Sequence, residues 1–137
     1  MTTGKPVIDT DTSDLARLTT KQMGAALRAA LKVLEKWGCS LSENSALLGV
    51  TEADLLDLEN LQNQPLTTFE IMERASMLLN IHGCLRSLFS SPKSVYGWVR
   101  KPNSHPVFAG RSALEVMLSE EDGSGIKQVL NYLSSQV

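Results

Sequence analysis

The residues best suited to chemistry are too few and too scattered in this chain to build an active site. The two histidines, His82 and His105, and the two cysteines, Cys39 and Cys84, lie far apart without the close pairs that a zinc site uses. The sequence also lacks a glycine-rich phosphate loop and a nucleophile elbow. It therefore predicts a protein with no catalytic residues, no metal and no cofactor, whose cysteines are free thiols in a reducing cytoplasm.

Charge is unevenly distributed along the 137 residues, although the net charge is only -2. Residues 1–36 hold six basic and four acidic side chains, residues 37–85 one basic and seven acidic, and residues 86–137 six basic and four acidic. On a helix, five of the N-terminal bases fall within an arc of about 100°. They are Arg17, Lys21, Arg28, Lys32 and Lys36. This basic stripe is either a solvated face or a contact for phosphates or an acidic protein surface, such as the acidic middle of a second copy.

Helix-capping motifs and the regular spacing of apolar residues predict helices in the first two thirds of the chain. A capping box at residues 19–22 and apolar residues at intervals of three and four predict a helix from about 20 to Trp37, ended by Gly38. Ser40, Thr51 and Thr67, each followed by acidic residues, predict three more helix starts. The last of these helices is the longest and extends toward residue 89.

The last third of the chain also follows helical spacing. Ser90-Ser91-Pro92 predicts a bend, and Val95, Trp98 and Val99 a short helix that ends before Pro102. Ser112 with Glu115 forms another capping box, and apolar residues from 126 to 133 predict a final amphipathic helix. No segment of strand length alternates, so we expect an all-α fold of about seven helices after a flexible tail at residues 1–18.

Residues 42–60 have the pattern of a helix-turn-helix, with Leu48-Gly49-Val50 at the turn. An ordinary helical hairpin has the same pattern. The positions that would face a DNA groove include Thr51, Glu52 and Asp57, and carboxylates are repelled by phosphates. Reading of DNA through the second helix is therefore disfavoured. The candidate DNA contacts are the four basic residues Arg17, Lys21, Arg28 and Lys32, together with Thr51.

The C-terminal stretch contains a distinctive order of motifs. Trp98-x-Arg100 ends a helix, a proline loop runs through Pro106-Val107-Phe108, Gly110-Arg111-Ser112 opens a short helix, and a glycine turn precedes the closing helix. In this order residues 86–137 resemble the toxin-binding domain of the Xre/MbcA/ParS antitoxin family. Residues 20–85 look like the Xre-type helical domain that precedes it in that family.

The resemblance implies an antitoxin of a type II toxin-antitoxin system. It implies an Xre-like domain at residues 19–90, with a helix-turn-helix-like part, and a toxin-binding domain at residues 91–137. The implied partner is a RES-type, NAD-degrading toxin, whose active site the C-terminal region blocks. Self-association as a homodimer or higher oligomer and repression of its own promoter through operator DNA are also implied.

Nine residues in or near the resembling motifs are the candidate toxin contacts. They are Trp98, Arg100, Gly110, Arg111, Ser112, Lys127, Tyr132, Gln136 and Val137. For Arg111, contact with the toxin and an internal salt bridge or carbonyl contact are equally open.

Two other functions remain open, a DNA-binding transcriptional regulator without a toxin partner and a helical adaptor for an unrelated protein. The acidic segment after Thr51 argues against the regulator. No apolar run reaches the roughly 18–20 residues that a bilayer requires, so no membrane association is expected.

Overall fold

The computed structural model describes residues 20–57 and 69–137, and within them the chain is helical. The elements are α1 Thr20–Lys36, α2 Leu41–Leu48, α3 Glu52–Leu56, α4 Phe69–Leu88, α5 Pro92–Gly97, a 3-10 turn Trp98–Arg100, α6 Ala113–Leu118 and α7 Ser124–Ser134. These two ranges contain no strand, only an isolated antiparallel bridge between Pro102 and Ser112. The all-α prediction is confirmed. The predicted tail at residues 1–18 lies outside the described residues.

Side-chain caps begin the helices where the sequence predicts them. The Ser40 hydroxyl accepts a hydrogen bond from the Glu43 amide at 3.1 Å, and the Ser40 amide donates to the Glu43 carboxylate at 2.8 Å. That amide bond is the main reason why the pKa of Glu43 lies below its usual value. Thr51 caps α3 through its hydroxyl, whereas the predicted cap at Thr67 lies outside the described residues. Local capping chemistry therefore fixes the start of both helices of the helix-turn-helix.

Helix α4 is the central element of the fold. It packs against α1 on one side and α7 on another, and it also contacts α2 and α5, while α6 packs on α7. Its residues Leu78, Ile81 and Leu85 have no exposed surface. They belong to one hydrophobic cluster that extends from α1 to α7. The helices before and after the bend at residues 90–92 thus share a single core.

The short helix predicted around Trp98 is divided in the structure. The α-helix ends at Gly97, and Trp98–Arg100 continues as a 3-10 turn in which the Lys101 amide donates to the Trp98 carbonyl at 3.2 Å. Pro102 follows, and a proline disfavours α-helical geometry in the residue before it. The tighter turn therefore ends the helix and directs the chain into the loop that precedes α6.

Arg74 is a charged residue of the core and joins the two halves of the chain. Its side chain lies on α4 and is only 5% exposed. The guanidinium donates to the carbonyls of Ala46 at 3.3 Å and Leu47 at 3.5 Å in α2, and to the carbonyl of Glu121 at 2.5 Å in the α6–α7 loop. Arg74 therefore fastens the helix-turn-helix to the C-terminal helices.

Two glycines make room for this guanidinium. Gly49, in the turn between α2 and α3, has φ +74°, and Gly123, before α7, has φ +84°. A Cβ atom would lie 3.0 Å from the Arg74 guanidinium at Gly49 and 3.2 Å from it at Gly123. Glycine is therefore favoured at both positions by its backbone conformation and by the close approach of Arg74.

Candidate functional site

The candidate site is built on the loop that connects the 3-10 turn to α6. The loop closes on itself, because the Asn103 amide donates to the Arg111 carbonyl at 3.1 Å and the Gly110 amide donates to the Asn103 carbonyl at 2.9 Å. Phe108 fixes the loop to the core and has no exposed surface. Although it has no regular secondary structure, this loop is a fixed part of the surface.

An aromatic cluster attaches the loop to α7. The ring of Tyr132, on α7, lies 4.7 Å from the ring of His105 and 5.0 Å from that of Phe108, measured between ring centres. The ring of Trp98 stacks on Tyr132 at 6.4 Å and meets the edge of Phe108 at 5.8 Å. Such pairs add about 0.5–1.5 kcal/mol each beyond the burial of their area. The cluster thus holds the loop in one position relative to α7.

A cleft of about 600 Å³ lies between the loop and α7. We call it the loop–α7 cleft. It is lined by His105, Pro106, Val107, Gln128, Asn131, Tyr132, Ser135 and Gln136. Val107 is 36% exposed, a large fraction for an apolar side chain, and no aspartate, glutamate, lysine or arginine lines the cleft. Aromatic and apolar side chains without charge are typical of the centre of a protein–protein interface.

Four of the predicted toxin contacts lie on or near α7. Tyr132 and Gln136 line the loop–α7 cleft, and Lys127 is exposed on the same helix. Val137 is 62% exposed and lines a second depression, between α4 and α7. The structure therefore brings Tyr132 and Gln136 together in the cleft and places Val137 at another part of this surface.

Gly110 and Arg111 lie near the end of the loop, at its surface. Ala109 and Gly110 both have left-handed backbones, with φ +52° and +85°. The Arg111 side chain is exposed, and its Nε donates to the Phe108 carbonyl at 3.3 Å. No carboxylate in the described ranges pairs with its guanidinium. Of the alternatives for Arg111, the structure thus shows a carbonyl contact through Nε. Its charge also acts on Glu115, whose pKa is lowered mainly by the Ser112 amide and to a smaller extent by Arg111.

Three other predicted contacts are engaged inside the fold. Arg100 donates to the carbonyls of Trp37 at 2.7 Å and Gly38 at 2.8 Å, and it forms an ion pair with Glu43 at 3.2 Å. Ser112 is only 5% exposed and caps α6, and Trp98 is half-buried in the aromatic cluster. These contacts show how the three residues stabilise the domain. A direct toxin contact by any of them stays a prediction.

The structural role of Arg100 predicts how an alanine variant behaves. Arg100→Ala removes two hydrogen bonds to carbonyls of the α1–α2 connection and the ion pair with Glu43. We expect the free energy of unfolding to fall by about 1–2 kcal/mol, since the side chain is partly exposed, while the folded variant still captures its partner. Urea unfolding and capture on immobilised protein measure the two effects. Lys101→Ala, next to it and exposed, serves as the control, and loss of capture at unchanged stability would instead show a direct contact.

The helix-turn-helix presents acidic side chains on its second helix. In α3, Glu52 and Ala53 are exposed, as is Asp57 directly after it, and the Thr51 hydroxyl caps the helix. Of the candidate DNA contacts outside α3, Arg28 and Lys32 are exposed on α1, and Lys32 lies 3.4 Å from Glu35. Arg17 and the side chain of Lys21 lie outside the described residues. The exposed basic side chains thus lie on α1 and not on the two helices of the helix-turn-helix.

The comparisons with known proteins match the C-terminal surface to a family. Residues 84–136 match the model of the antitoxin Xre/MbcA/ParS C-terminal toxin-binding domain. A protein of Sinorhizobium fredii, described as "Uncharacterized protein y4oB", is 30% identical over 112 residues, which cover 82% of this chain and 84% of that protein. The chain belongs to the Xre/MbcA/ParS antitoxin family. The match begins at Cys84 within α4, so the toxin-binding domain of this antitoxin contains the loop–α7 cleft.

Sequence reasoning missed three features that shape the site. Val107 carries a signal that could have been used, because an exposed loop beside a proline is an unusual place for a β-branched apolar residue. Gln128 and Asn131 carry a weaker signal, because the amphipathic pattern of the final helix leaves them on its polar outer face beside Lys127 and Tyr132. Their position beside Tyr132 in the cleft depends on where Phe108 anchors the loop.

The described residues lack two other kinds of site. Within residues 20–57 and 69–137, no helix is long and apolar enough to cross a bilayer. In the same ranges no three histidine, cysteine or acidic side chains converge as metal ligands would.

Burial raises the pKa of the Cys39 thiol to about 11, and neither Cys39 nor Cys84 is in a disulfide. Because only a thiolate is a strong nucleophile, Cys39 is an unreactive thiol near neutral pH.

Proposed function

We propose that this antitoxin neutralises a cognate RES-type, NAD-degrading toxin by docking the loop–α7 cleft on it and holding residues 134–137 over its active site. The observation that carries the proposal is a cleft inside the matched toxin-binding domain that is lined by Val107, Tyr132 and amide side chains and by no carboxylate, lysine or arginine. On this proposal the protein is not an enzyme. It acts in the cytoplasm by occupying a protein surface and needs neither a cofactor nor a metal.

The cleft suits this role because it is formed before the toxin arrives. Phe108 and the aromatic cluster hold the loop, and backbone hydrogen bonds close it. A surface that is already ordered loses little conformational entropy on binding. Val107 and Tyr132 supply apolar contact area, while the neighbouring amide side chains supply donors and acceptors. The cleft can therefore serve as the central anchor of the interface.

The residues that follow α7 are ordered as well. The Gln136 amide donates to the Leu133 carbonyl at 2.9 Å, and the Ser135 hydroxyl donates to the Tyr132 carbonyl at 2.6 Å. Gln136 lines the cleft and Val137 is exposed beyond it. Docking of the cleft would therefore bring residues 134–137 to the toxin in a defined conformation, which favours obstruction of a concave active site.

Basic groups beside the cleft favour approach to an acidic partner surface. Arg111 and Lys127 are exposed, and a guanidinium such as that of Arg111 can bind a partner's carboxylate through two parallel hydrogen bonds. Charges at the edge of an interface mainly raise the association rate. We assign Arg111 and Lys127 this steering role, with the cleft supplying most of the affinity.

Deletion of residues 134–137 separates docking from inhibition. All four residues are exposed, so we expect the truncated antitoxin to fold normally. Ser135 and Gln136 also line the edge of the cleft, so we expect some loss of affinity, while the loop, Gln128, Asn131 and Tyr132 keep most of the binding. Inhibition of NAD consumption should be lost, because the residues that cover the active site are gone. Calorimetry gives the affinity, and NAD consumption by purified toxin gives the inhibition.

A second variant distinguishes the effect of losing the side chains of residues 134–137 from the effect of shortening the chain. It replaces residues 134–137 with glycines, which keeps the length but removes the side chains. We expect partial inhibition from this variant. Full inhibition by the truncated antitoxin would contradict the obstruction mechanism, whatever its affinity.

Operator binding is the second part of the proposed function, and it is assigned to α1 rather than to α3. Helix α3 exposes Glu52, whereas α1 exposes Arg28 and Lys32 and continues the stripe of Arg17 and Lys21. Phosphates favour the basic surface. Steeply salt-dependent operator binding without capture of any toxin would instead support a transcriptional regulator. Thr51 stays a candidate contact only through its exposed position.

Self-association as a homodimer or higher oligomer is the third part of the proposed function. It is supported by the opposite charges of different parts of the chain, with basic side chains on α1 and acidic side chains on α3 and at the start of α4. Since the net charge is only -2, two copies repel each other weakly.

A further inference from the structure

We propose that two copies of this antitoxin associate through two surfaces of opposite charge. One is an acidic groove at the N-terminal end of α4, and the other is a basic strip, formed by Lys36 and Arg86, beside the C-terminal end of the same helix. The inference rests on the self-association proposed above and names its contact surfaces. It is independent of toxin binding, which uses the loop–α7 cleft.

The acidic groove has an apolar lining and carboxylates around it. It has a volume of about 1180 Å³, and Val50, Phe69, Ile71 and Leu118 line it. Phe69 is 46% exposed there, although helical spacing predicts it in the core. Five acidic residues also line it: Asp54, Glu70, Glu73, Glu120 and Glu121.

The carboxylates of the groove are not neutralised within the described part of the chain. None of the five forms an ion pair there, since the pairs found join Lys32 to Glu35 and Arg100 to Glu43. The nearby Arg74 is buried and bonded to neutral backbone carbonyls, so it contributes one positive charge beside five carboxylates. The groove therefore offers an apolar surface with an excess of negative charge, which fits a basic surface with apolar parts.

The basic strip combines positive charge with aromatic surface. The ammonium of Lys36 lies 5.7 Å from the centre of the Tyr96 ring. The Tyr96 ring stacks on His82 at 5.5 Å, and its hydroxyl forms a hydrogen bond with His82 Nε2 at 3.1 Å. Arg86 lies next to His82 on α4 and borders a depression with Tyr96 and Phe89. Burial, and then the charge of Arg86, lower the pKa of His82. The positive charge of the basic strip at neutral pH thus comes from Lys36 and Arg86.

The acidic groove and the basic strip are too far apart to neutralise each other within one copy. Glu73 borders the groove and Arg86 the strip, and along α4 these residues are separated by about 20 Å at 1.5 Å per residue. Screening at physiological salt acts over about 8 Å. A second copy can bring its strip to this groove and its groove to this strip. Two such contacts related by a two-fold axis would form a closed dimer.

Charge reversal tests the pairing with two double variants. One reverses the strip (Lys36→Glu with Arg86→Glu), and the other reverses the groove (Glu73→Lys with Glu120→Lys); all four side chains are exposed. Light scattering on the full chain without toxin, in low salt, is expected to give a dimer for the wild-type protein. Each variant alone should associate at least tenfold more weakly, and an equimolar mixture should recover the dimer. Lys101→Glu, an exposed lysine outside the strip, is the control and should dimerise normally.

The mixture keeps the test valid if one variant is slightly destabilised, since a misfolded partner cannot restore a dimer. Reversed variants that still dimerise alone, or a mixture that stays monomeric, would overturn the pairing. A monomeric wild-type chain that still neutralises its toxin would overturn this inference and leave the antitoxin function standing. If that monomer binds DNA and the strip variant does not, the strip is a phosphate-binding surface.

Discussion

Arg74→Ala is expected to lower the free energy of unfolding by about 3 kcal/mol. The substitution leaves the carbonyls of Ala46, Leu47 and Glu121 without the guanidinium that bonds to them, in a place where the side chain is 5% exposed. It also leaves a cavity the size of the arginine side chain between α2, α4 and the α6–α7 loop. Unsatisfied buried polar groups and a cavity are among the few causes of large single-site losses.

Urea unfolding followed by circular dichroism measures this effect. Lys93→Ala is the control, because Lys93 is an exposed basic residue outside the basic strip and the loop–α7 cleft, and we expect it to change stability by less than about 0.5 kcal/mol. Arg74→Lys should be intermediate, since an ammonium keeps the charge but lacks the fork that reaches carbonyls on two elements. Equal and small losses for Arg74→Ala and Lys93→Ala would show that the buried guanidinium does not hold the two halves together.

Val107→Asp is expected to weaken toxin binding by at least about 100-fold without unfolding the antitoxin. Val107 is 36% exposed on the loop, so aspartate is tolerated in the free protein. In the complex the same carboxylate would be buried in a cleft whose lining contains no lysine or arginine to pair with it. The desolvation of that charge is the reason for the large loss.

Calorimetry with purified toxin, together with a melting curve, measures the effect of Val107→Asp. The matched control is Leu56→Asp, which makes the same kind of change at an apolar residue that is 68% exposed outside the cleft. We expect the control to bind normally. Val107→Ala should lose no more than about tenfold, because it removes contact area and adds no charge. Normal binding by Val107→Asp would move the toxin interface away from the loop–α7 cleft.

The features of the fold that the sequence predicts well are those with a local cause. Ser40, Thr51 and Ser112 start helices because their side chains bond to amides three residues away. The spacing of apolar residues likewise predicts which faces of α1 and α7 are buried. Such signals lie within one or two turns of helix, and therefore the all-α class and most helix starts can be read from the sequence.

The arginine contacts could not be predicted, because their partners are backbone carbonyls far away in the chain. Arg100 reaches Trp37 and Arg74 reaches Ala46 and Glu121. A carbonyl is present at every residue, so these contacts leave no pattern of residue types. Arg100 for this reason looks like a surface contact in the sequence, although the structure shows it holding the α1–α2 connection.

The candidate site could be predicted only in part. Tyr132 follows from the amphipathic pattern of α7, which leaves polar and aromatic residues on its outer face, whereas Gln136 comes after the end of the helix at Ser134. The opposite wall depends on the burial of Phe108 and on the left-handed Ala109, which together place Val107 beside α7. Loop conformation of this kind is fixed by tertiary packing and not by local preference.

The most direct test of the antitoxin function is co-expression of the tagged protein with the product of the adjacent reading frame, followed by purification and measurement of cellular NAD. The proposal predicts that the two proteins co-purify and that NAD stays at the level of cells without the toxin. Expression of the neighbour alone should deplete NAD and stop growth. Absence of any co-purifying partner, with NAD unchanged whether or not this protein is present, would contradict the proposed neutralisation of an NAD-degrading toxin.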